Sequence, residues 1–532
     1  MELIETLRLS EMELIAKWYP GGIASKAKED IARRDEQISE LLSNVQDDPA
    51  KVYELLQLQD YGLVDQQDFY FELRSLLAEA LDQVDNSGDF LLLLALSPDT
   101  NWYIRRQVVY LLTSRPDKAM LVELIPLLEE SGLQGEIRAA VATRLGQAQV
   151  EEVRPILLSL YHALRRGEDP RLAGWTYAEA DLLEALGYLG ERETLRPLLA
   201  LQYHNYQSRR LSGQRGLAQL IKHLGGLKAA LNLLDNQPTE KVESHLAKLA
   251  VSDRHETVRR WAVEQLASTG GHTTASKVLC DRLSDPSWAV ANAAVKKLIT
   301  LPEPPVSNLR TIAQNLSLPP TTRLWAAYVL LKLNQKVEEE VLNSIPDYPV
   351  SLPDFIKPTL RRAIIQCWSE SSEVGTDVRW LVEGQLLPTL PTYELPFEPL
   401  KAALEQRGLT TLGPLSANEL YKQGRGTFYV LQSRSVHKDK LQFYTLYLTM
   451  LGPFAYLNVL TSDDDAANSA EIPFNTPTPE ETRQLYREAL EAVGLTLLES
   501  QVTTYVFPGL NIYYFGNREP LPINDLLYYW QD

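Results

Sequence analysis

The chain has 532 residues, enough for two to four ordinary domains or for one long repeat array with an appendage. Apolar residues make up 45% of it, which supports a large core and excludes disorder as the global state. The formal net charge of −18 argues against a nucleic-acid or anionic-membrane binder, because both need a cationic surface.

Residues 1–88 read as a helical cap with one or two degenerate repeats. Leu3, Leu7, Leu14 and Ile15 mark a first amphipathic helix, and Asp48-Pro49 starts a later one as N-cap and first helical position. The opening segment carries acids where a signal peptide needs bases, and the longest apolar run of the repeats, residues 90–96, is too short to cross a bilayer. A cytoplasmic protein with no membrane partner is the expectation.

From residue 89 a two-helix unit recurs. In LLEALGYLGERETLRPLLALQ (182–202), Leu183, Leu186 and Leu189 share one helical face. Gly187 and Gly190 loosen the helix end, and Gly190 suits a left-handed C-cap. Glu191 and Glu193 then favour a new N-terminus, with Pro197 in its first turns. Pro126 and Pro155 hold equivalent places. Second helices recur as IRRQVVYLL (104–112), IRAAVATRL (137–145), VRRWAVEQL (258–266), VANAAVKKL (290–298) and TRLWAAYVL (322–330). Their last apolar positions, with Leu186 and Leu224 included, are spaced 33, 41, 38, 42, 32 and 32 residues apart, room for two short helices and two turns. Such units bury their apolar faces only against copies of themselves.

These residues resemble HEAT repeats: Leu-x-Pro-Leu-Leu, a polar turn, then Val-Arg-x-x-Ala-x-x-x-Leu. The Ala-Leu-Gly-x-Leu-Gly version from Ala185 is similar to the shorter phycobilisome-lyase-type HEAT-like repeats of the armadillo-like class. The resemblance covers about residues 90–368. It implies a mainly α fold, an α-α superhelix over 89–385, with second helices on the concave face.

Ser97-Pro98-Asp99, Ser252-Asp253 and Ser284-Asp285-Pro286 fall in the turns, where each acid or hydroxyl can cap the next helix. The pairs Arg105-Arg106 and Arg259-Arg260 follow two of these turns. They read either as a phosphate track or as an Asp–Arg ladder between repeats, and the ladder is favoured because acids recur in step with bases. Residues 162–178 and 203–216 read as inserted polar loops. The second carries Arg209, Arg210 and Arg215, and both are locally basic edges for an acidic partner. Trp261 and Trp325 share one slot of the second helix, either as groove anchors or as core. Position three of the same pattern gives Arg106, Arg260, Asn292 and Leu324; position seven gives Tyr110, Glu264, Lys296 and Tyr328. These should line the concave face if the second helices do. Arg106, Tyr110, Arg209, Arg210, Arg215, Arg260, Trp261, Glu264, Trp325 and Tyr328 are therefore the candidate partner-binding residues.

A last helix, LRRAIIQCWSE from Leu360, resembles a second helix and closes the array. Four prolines within 386–399 predict an extended connector with short helices over 386–423. Beyond it the apolar period falls to two. A strand at 427–431, a hairpin across Gly452-Pro453, a helix over 479–493, strands at 495–498, 503–507 and 512–515, and a short aromatic helix at 523–530 predict a small α+β domain with an antiparallel sheet over 424–532. That domain holds 17 of the 45 aromatic residues, as core or as an exposed patch.

No catalytic, metal or cofactor site is expected. Nucleophile-elbow, P-loop, dinucleotide and H-E-x-x-H motifs are missing, and the seven histidines are scattered. Cys280 and Cys367 read as buried small hydrophobes. Asp463, Asp464 and Asp465 read as a solvated loop, and Gly424-Arg425-Gly426 as a turn. The function expected is a protein–protein scaffold. The family resemblance adds two lesser readings: an assembly or lyase factor for pigment proteins, and a HEAT-like DNA-repair glycosylase, which the charge opposes.

Overall fold

A computed structural model describes residues 87–98, 100, 102–114, 117–167, 169–235, 241–266, 272–369, 375–388, 393–417, 428–437, 440–460, 480–514 and 517–528. The readings of the N-terminal cap, the acidic triplet at 463–465 and the turn at 424–426 lie outside them. The chain is mainly helical with a small sheet region near the C-terminus, and it divides into two compact units, Met1–Val242 and Glu243–Asp532.

The first unit contains α1 (Ser87–Leu96), α2 (Trp102–Ser114), α3 (Lys118–Val122), α4 (Gly135–Gln147), α5 (Arg154–Arg166), α6 (Ala178–Tyr188), α7 (Leu195–Leu201), α8 (Gln207–His223) and α9 (Leu227–Asp235). The second helices stack in sequence, α2 on α4, α4 on α6 and α6 on α8, with α1, α5 and α7 as the outer layer. Leu112, Leu145 and Leu186 are fully buried between the layers, as their spacing predicts. Leu224 is not: it is the half-buried C-cap of α8, and Leu220 takes the core position. Gly190 has φ +75°, the left-handed cap expected of it.

Two sequence readings need correction here. Residues 207–216 are helix α8, not an inserted loop; the true link is residues 202–206. Its polar, glycine-bearing composition has a packing cause. A Cβ on Gly213 would lie 2.5 Å from the Gln202 amide nitrogen, and one on Gly187 would lie 2.5 Å from the Gly216 carbonyl oxygen. Gly187 therefore serves the close crossing of α6 and α8 rather than loosening a helix end. Similarly, the first insertion is shorter than the sequence suggests, since α5 runs to Arg166 and α6 starts at Ala178.

The second unit begins with α10 (Val242–Ser252), α11 (Glu256–Leu266), α12 (His272–Asp281), α13 (Trp288–Thr300), α14 (Val306–Gln314), α15 (Pro320–Lys332), α16 (Glu339–Asn343), α17 (Pro358–Trp368) and α18 (Val378–Leu386). Here the second helices α11, α13 and α15 stack in order, and Leu266, Leu298 and Leu330 are buried. The helix that follows them in the row is α18, which packs on α15. The sequence reading gave that place to α17. Yet α18 is VRWLVEGQL, a clear copy of the second-helix pattern, 56 residues after its predecessor.

One position stitches the layers. Arg105, Arg138, Arg259 and Arg323 all occupy position two of the pattern, and all are buried or nearly so. Arg105 donates to the Ala95 carbonyl at 2.6 Å and to Glu130. Arg138 donates to the carbonyls of Glu130 and Arg171. Arg259 reaches back to the Asp253 carbonyl at 3.0 Å and forward to Asp285. Arg323 bonds the Ala313 carbonyl at 3.1 Å and the Ser344 hydroxyl. The Asp–Arg ladder reading holds for Arg259, which reaches Asp285, whereas Arg105 makes its bridge to a glutamate, Glu130. Asp253 and Asp285 stop short of capping the next helix: each folds back on its own turn, accepting the amides of His255 (2.8 Å) and Ser287 (2.9 Å), and Ser287, the N-cap of α13, makes no side-chain cap bond.

The rest of the unit is α19 (Phe397–Glu405), β1 (Thr410–Ala417), β2 (Phe428–His437), β3 (Lys440–Thr449), β4 (Phe454–Leu460), α20 (Glu480–Glu491), β5 (Thr496–Leu497), α21 (Ser500–Thr503), β6 (Val506–Tyr514), β7 (Asn517–Pro522) and α22 (Ile523–Leu527). Five strands form one sheet in the order β1-β2-β3-β4-β5, antiparallel except for the parallel β4–β5 pair; β6 and β7 form a separate hairpin. The sheet thus starts at Thr410, inside the segment read as connector. The strand expected at 503–507 is instead the end of α21 and the start of β6.

Alternation along β3 explains the two cores. Tyr444, Leu446 and Leu448 face α19 and α20, packing with Leu400, Leu404, Tyr486 and Leu490. Tyr447 faces the other way, into a cluster that joins Phe428 and Tyr456 to α17, α18, the β6–β7 hairpin and α22. Trp368 Nε1 donates to the Leu526 carbonyl at 2.8 Å and Trp380 Nε1 to the Pro508 carbonyl at 2.7 Å. The last repeat and the C-terminal sheet therefore share one core.

Candidate interaction surface

In the first unit α2 presents Arg106 and Tyr110, one turn apart. The Arg106 guanidinium lies 5.4 Å from the Tyr110 ring centre and pairs with Glu136 of α4 at 2.6 Å. Beside them opens a groove of about 570 Å³. Tyr110, Thr113 and Ser114 line it from α2, Glu136, Ala139, Ala140, Thr143, Arg144 and Gln147 from α4, and Tyr177 and Asp181 from the start of α6.

Sequence register explains the space. Position four of the second-helix pattern is Trp261 in α11 and Trp325 in α15. The same slot holds Ala140 in α4 and Asp181 in α6. Small or polar residues there leave open what indole rings fill elsewhere.

Asp181 is the least ordinary group of the groove. Trp175 Nε1 donates to its Oδ2 at 2.7 Å. Burial pushes its carboxyl up to about 6, and the neighbouring Glu184 adds to this; the Trp175 bond and the charges of Arg209 and Arg215 act the other way. Glu184 itself is buried and held by Arg215 through two contacts of 2.6 and 2.7 Å.

On the rim, the Arg209 guanidinium sits 5.2 Å from the Tyr177 ring centre and 5.7 Å from that of Tyr206, while its Nη2 donates to the Thr176 carbonyl at 3.2 Å. It also lies 3.2 Å from His204 Nε2. Burial first, then Arg209, pull the His204 imidazole below its usual range. Both tyrosines remain open to solvent, at 44% and 43%. Arg210 donates to the carbonyls of His204 (3.0 Å) and Asn205 (2.5 Å). The arginines expected to form a basic edge thus hold this unit's own carbonyls, rings and carboxylate.

Of the other expected residues, Trp261 and Trp325 are 3% and 1% exposed, so the core reading is correct for both. Trp325 meets Trp288 edge-on at 5.5 Å and Tyr328 at 6.2 Å, and Tyr328 is buried beside Trp325. Arg260 and Glu264 are half-buried partners one turn apart, 3.0 Å between Nε and Oε1. The structure therefore gathers Arg106, Tyr110 and Arg209 around one groove and withdraws the aromatic members of the second unit into its core. Sequence reasoning missed Glu136, Tyr177 and Asp181. The available signal was Asp181 itself, an acid at a slot that is tryptophan in two other repeats.

Among the described residues no cluster of three or more His, Cys, Asp or Glu could hold a metal ion, and no helix is long and apolar enough to cross a membrane. No family model matches the chain, and no curated protein matches it. Solved structures do. The complex of CpcE and CpcF of phycocyanin lyase from Nostoc sp. PCC7120 matches at 15% identity over 56% of this chain and 93% of its own, with TM-score 0.24. Human deoxyhypusine hydroxylase matches at 15% identity over 59% and 96%, TM-score 0.19, and an engineered protein at 15% over 72% and 97%, TM-score 0.28. The repeat assignment rests on the helix packing itself, not on these likenesses.

Proposed function

We propose that this chain is a protein-binding scaffold and that its partner docks in the groove of the first unit. One observation carries the reading: two exposed tyrosines, Tyr110 and Tyr177, each with a guanidinium against its ring, line an open groove built on helices. Tyrosine and arginine dominate the energetics of protein interfaces. Rings already held by Arg106 and Arg209 lose little freedom on binding, which lowers the cost of association. A DNA-repair role fits poorly, because the groove is lined by two carboxylates and a single guanidinium, the wrong balance for a phosphate backbone.

Affinity capture with the wild-type chain, a Tyr110→Ala/Tyr177→Ala double variant and a Leu316→Ser control tests this; Leu316 is 72% exposed and lies in the other unit. The expected result is a partner retained by wild type and control and lost by the double variant. Recovery of no partner, or a partner indifferent to the two tyrosines, overturns it.

A further inference from the structure

We infer that Asp181, with the rings of Tyr110 and Tyr177, forms a socket for a cationic side chain, and that the segment docking in the groove presents a lysine or arginine to it. The inference rests on the reading of the groove as a docking surface and specifies the chemistry of its occupant.

The geometry supports it in three steps. Asp181 lines the groove with one oxygen fixed by Trp175 Nε1 at 2.7 Å, so the carboxylate is oriented before any ligand arrives. Asp181 has no ion-pair partner among the described residues. The nearby cations are committed: Arg215 to Glu184, Arg209 to two rings and the Thr176 carbonyl, and Arg106 to Glu136. Arg144 also lines the groove, the one guanidinium against two carboxylates there. Lastly, Tyr110 and Tyr177 line the same space, and a ring face beside a carboxylate is the recurring way to hold an ammonium or guanidinium.

Charge complementarity selects this occupant over an acidic one. An incoming carboxylate would meet Asp181 and Glu136 against Arg144 alone, because the guanidiniums of the 203–216 segment hold their own partners. An incoming cation would meet a carboxylate that is mostly ionised near neutral pH and, being partly buried, is screened less by solvent than an exposed one. The groove volume of about 570 Å³ suits a short stretch of polypeptide rather than a lone ion.

The test is fluorescence anisotropy on the full chain, at physiological ionic strength near neutral pH. The probes are a dye-labelled Ser/Gly peptide with an Arg-Lys-Arg centre and its Glu-Glu-Glu counterpart. The basic peptide should bind saturably, and Asp181→Asn should weaken it about tenfold or more, as expected for loss of a partly buried charge pair. Glu303→Gln removes the same unit of charge from an exposed position of the other unit and should change nothing, which separates the socket from the general pull of an acidic chain. Binding by wild type should weaken as pH falls through about 6, while the weaker binding of the variant should not. Equal binding of the acidic peptide, equal binding by Asp181→Asn, or no binding of the basic peptide overturns the inference. So does free arginine competing as well as the peptide, because the docked segment then contributes nothing. If the captured partner is lost from the tyrosine double variant yet indifferent to Asp181→Asn, the docking surface stands and the socket falls. If neither change matters, both fall.

Discussion

Arg259 of α11 grips Asp285 in the turn of the next repeat through two contacts, Nε to Oδ2 at 3.0 Å and Nη2 to Oδ1 at 2.9 Å. The Asp285 side chain is fully covered, and it accepts two further bonds, from Arg282 at 3.2 Å and from the Ser287 amide. One carboxylate thus closes the turn before α13 and ties two layers together. Removing it leaves two guanidiniums facing a low-dielectric interior.

Asp285→Ala should therefore destabilise the second unit by about 3–5 kcal/mol, the usual result of breaking a buried pair from one side. Arg259→Lys keeps the charge but not the fork, and should lose less. Urea unfolding followed by tryptophan fluorescence checks both. An Asp285→Ala midpoint equal to wild type would show that the contact is ornamental.

Gly187 and Gly216 define the second prediction. A Cβ on Gly187 would stand 2.5 Å from the Gly216 oxygen and 2.8 Å from its Cα, so backbone rather than a pliable side chain must give way. Gly187→Ala has better intrinsic helix propensity, by about 1 kcal/mol in an isolated helix. Overpacking should outweigh that gain and leave a net loss of about 1–3 kcal/mol. Calorimetry of the variant decides the sign, and hydrogen exchange should show faster opening of α6 and α8 only. A stabilised variant would mean that the two helices do not cross this closely.

These two sites show what was legible in the sequence. Leu112, Leu145, Leu186, Leu266, Leu298 and Leu330 gave the layer core because apolar period and burial are the same fact seen twice. Asp253 and Asp285 gave the turns because a carboxylate that accepts the amide two residues on is local chemistry. Gly187, Gly213 and Gly216 misled, because a helix crossing and a loop use the same residue for different reasons, and only the neighbouring backbone tells them apart. The α18 repeat, VRWLVEGQL, was readable as pattern yet sat 56 residues from its predecessor, outside the 32–42 rhythm. The groove was hidden for another reason: it is an absence, Ala140 and Asp181 where α11 and α15 have tryptophan. Likewise, alternation marked the strands, but nothing local announces that Phe507 packs on Trp380, ring centres 4.8 Å apart.

That last contact yields the third prediction. Trp368, Trp380 and Ile364 share a core with Phe507, Leu510 and Ile523. Thr376 exchanges bonds of 3.2 and 3.1 Å with the Asn511 backbone, and its carbonyl accepts from Trp288 Nε1 at 2.7 Å. A chain cut after residue 423 would strip this apolar face of α17 and α18. It should bind a hydrophobic dye strongly and lose the cooperative unfolding of the second unit. Trp380→Phe in the full chain is the milder version: it leaves the Pro508 carbonyl without its donor and should cost about 1–3 kcal/mol. A truncated chain that stays soluble, dye-silent and cooperative would prove the tail a separate domain.

The fourth prediction concerns Asp181, where stability and binding pull apart. Its folded carboxyl titrates at about 6, against an ordinary value near 3.9 in the unfolded chain. Between those values the folded state holds a proton that the unfolded state has released. Stability from this group is therefore present at low pH and lost as pH rises through about 4 to 6, the reverse of a salt-bridged aspartate. Asp181→Asn keeps an oxygen for Trp175 Nε1 and has nothing to ionise. The variant should match wild type near pH 4 and exceed it near neutrality, by roughly 1–3 kcal/mol after allowance for the groove's partial solvation. Urea midpoints of the two proteins across that range measure the difference directly, and parallel curves would show the carboxylate to be well solvated. A natural carboxylate that costs stability where the variant amide would not is the signature of a group kept for what it binds.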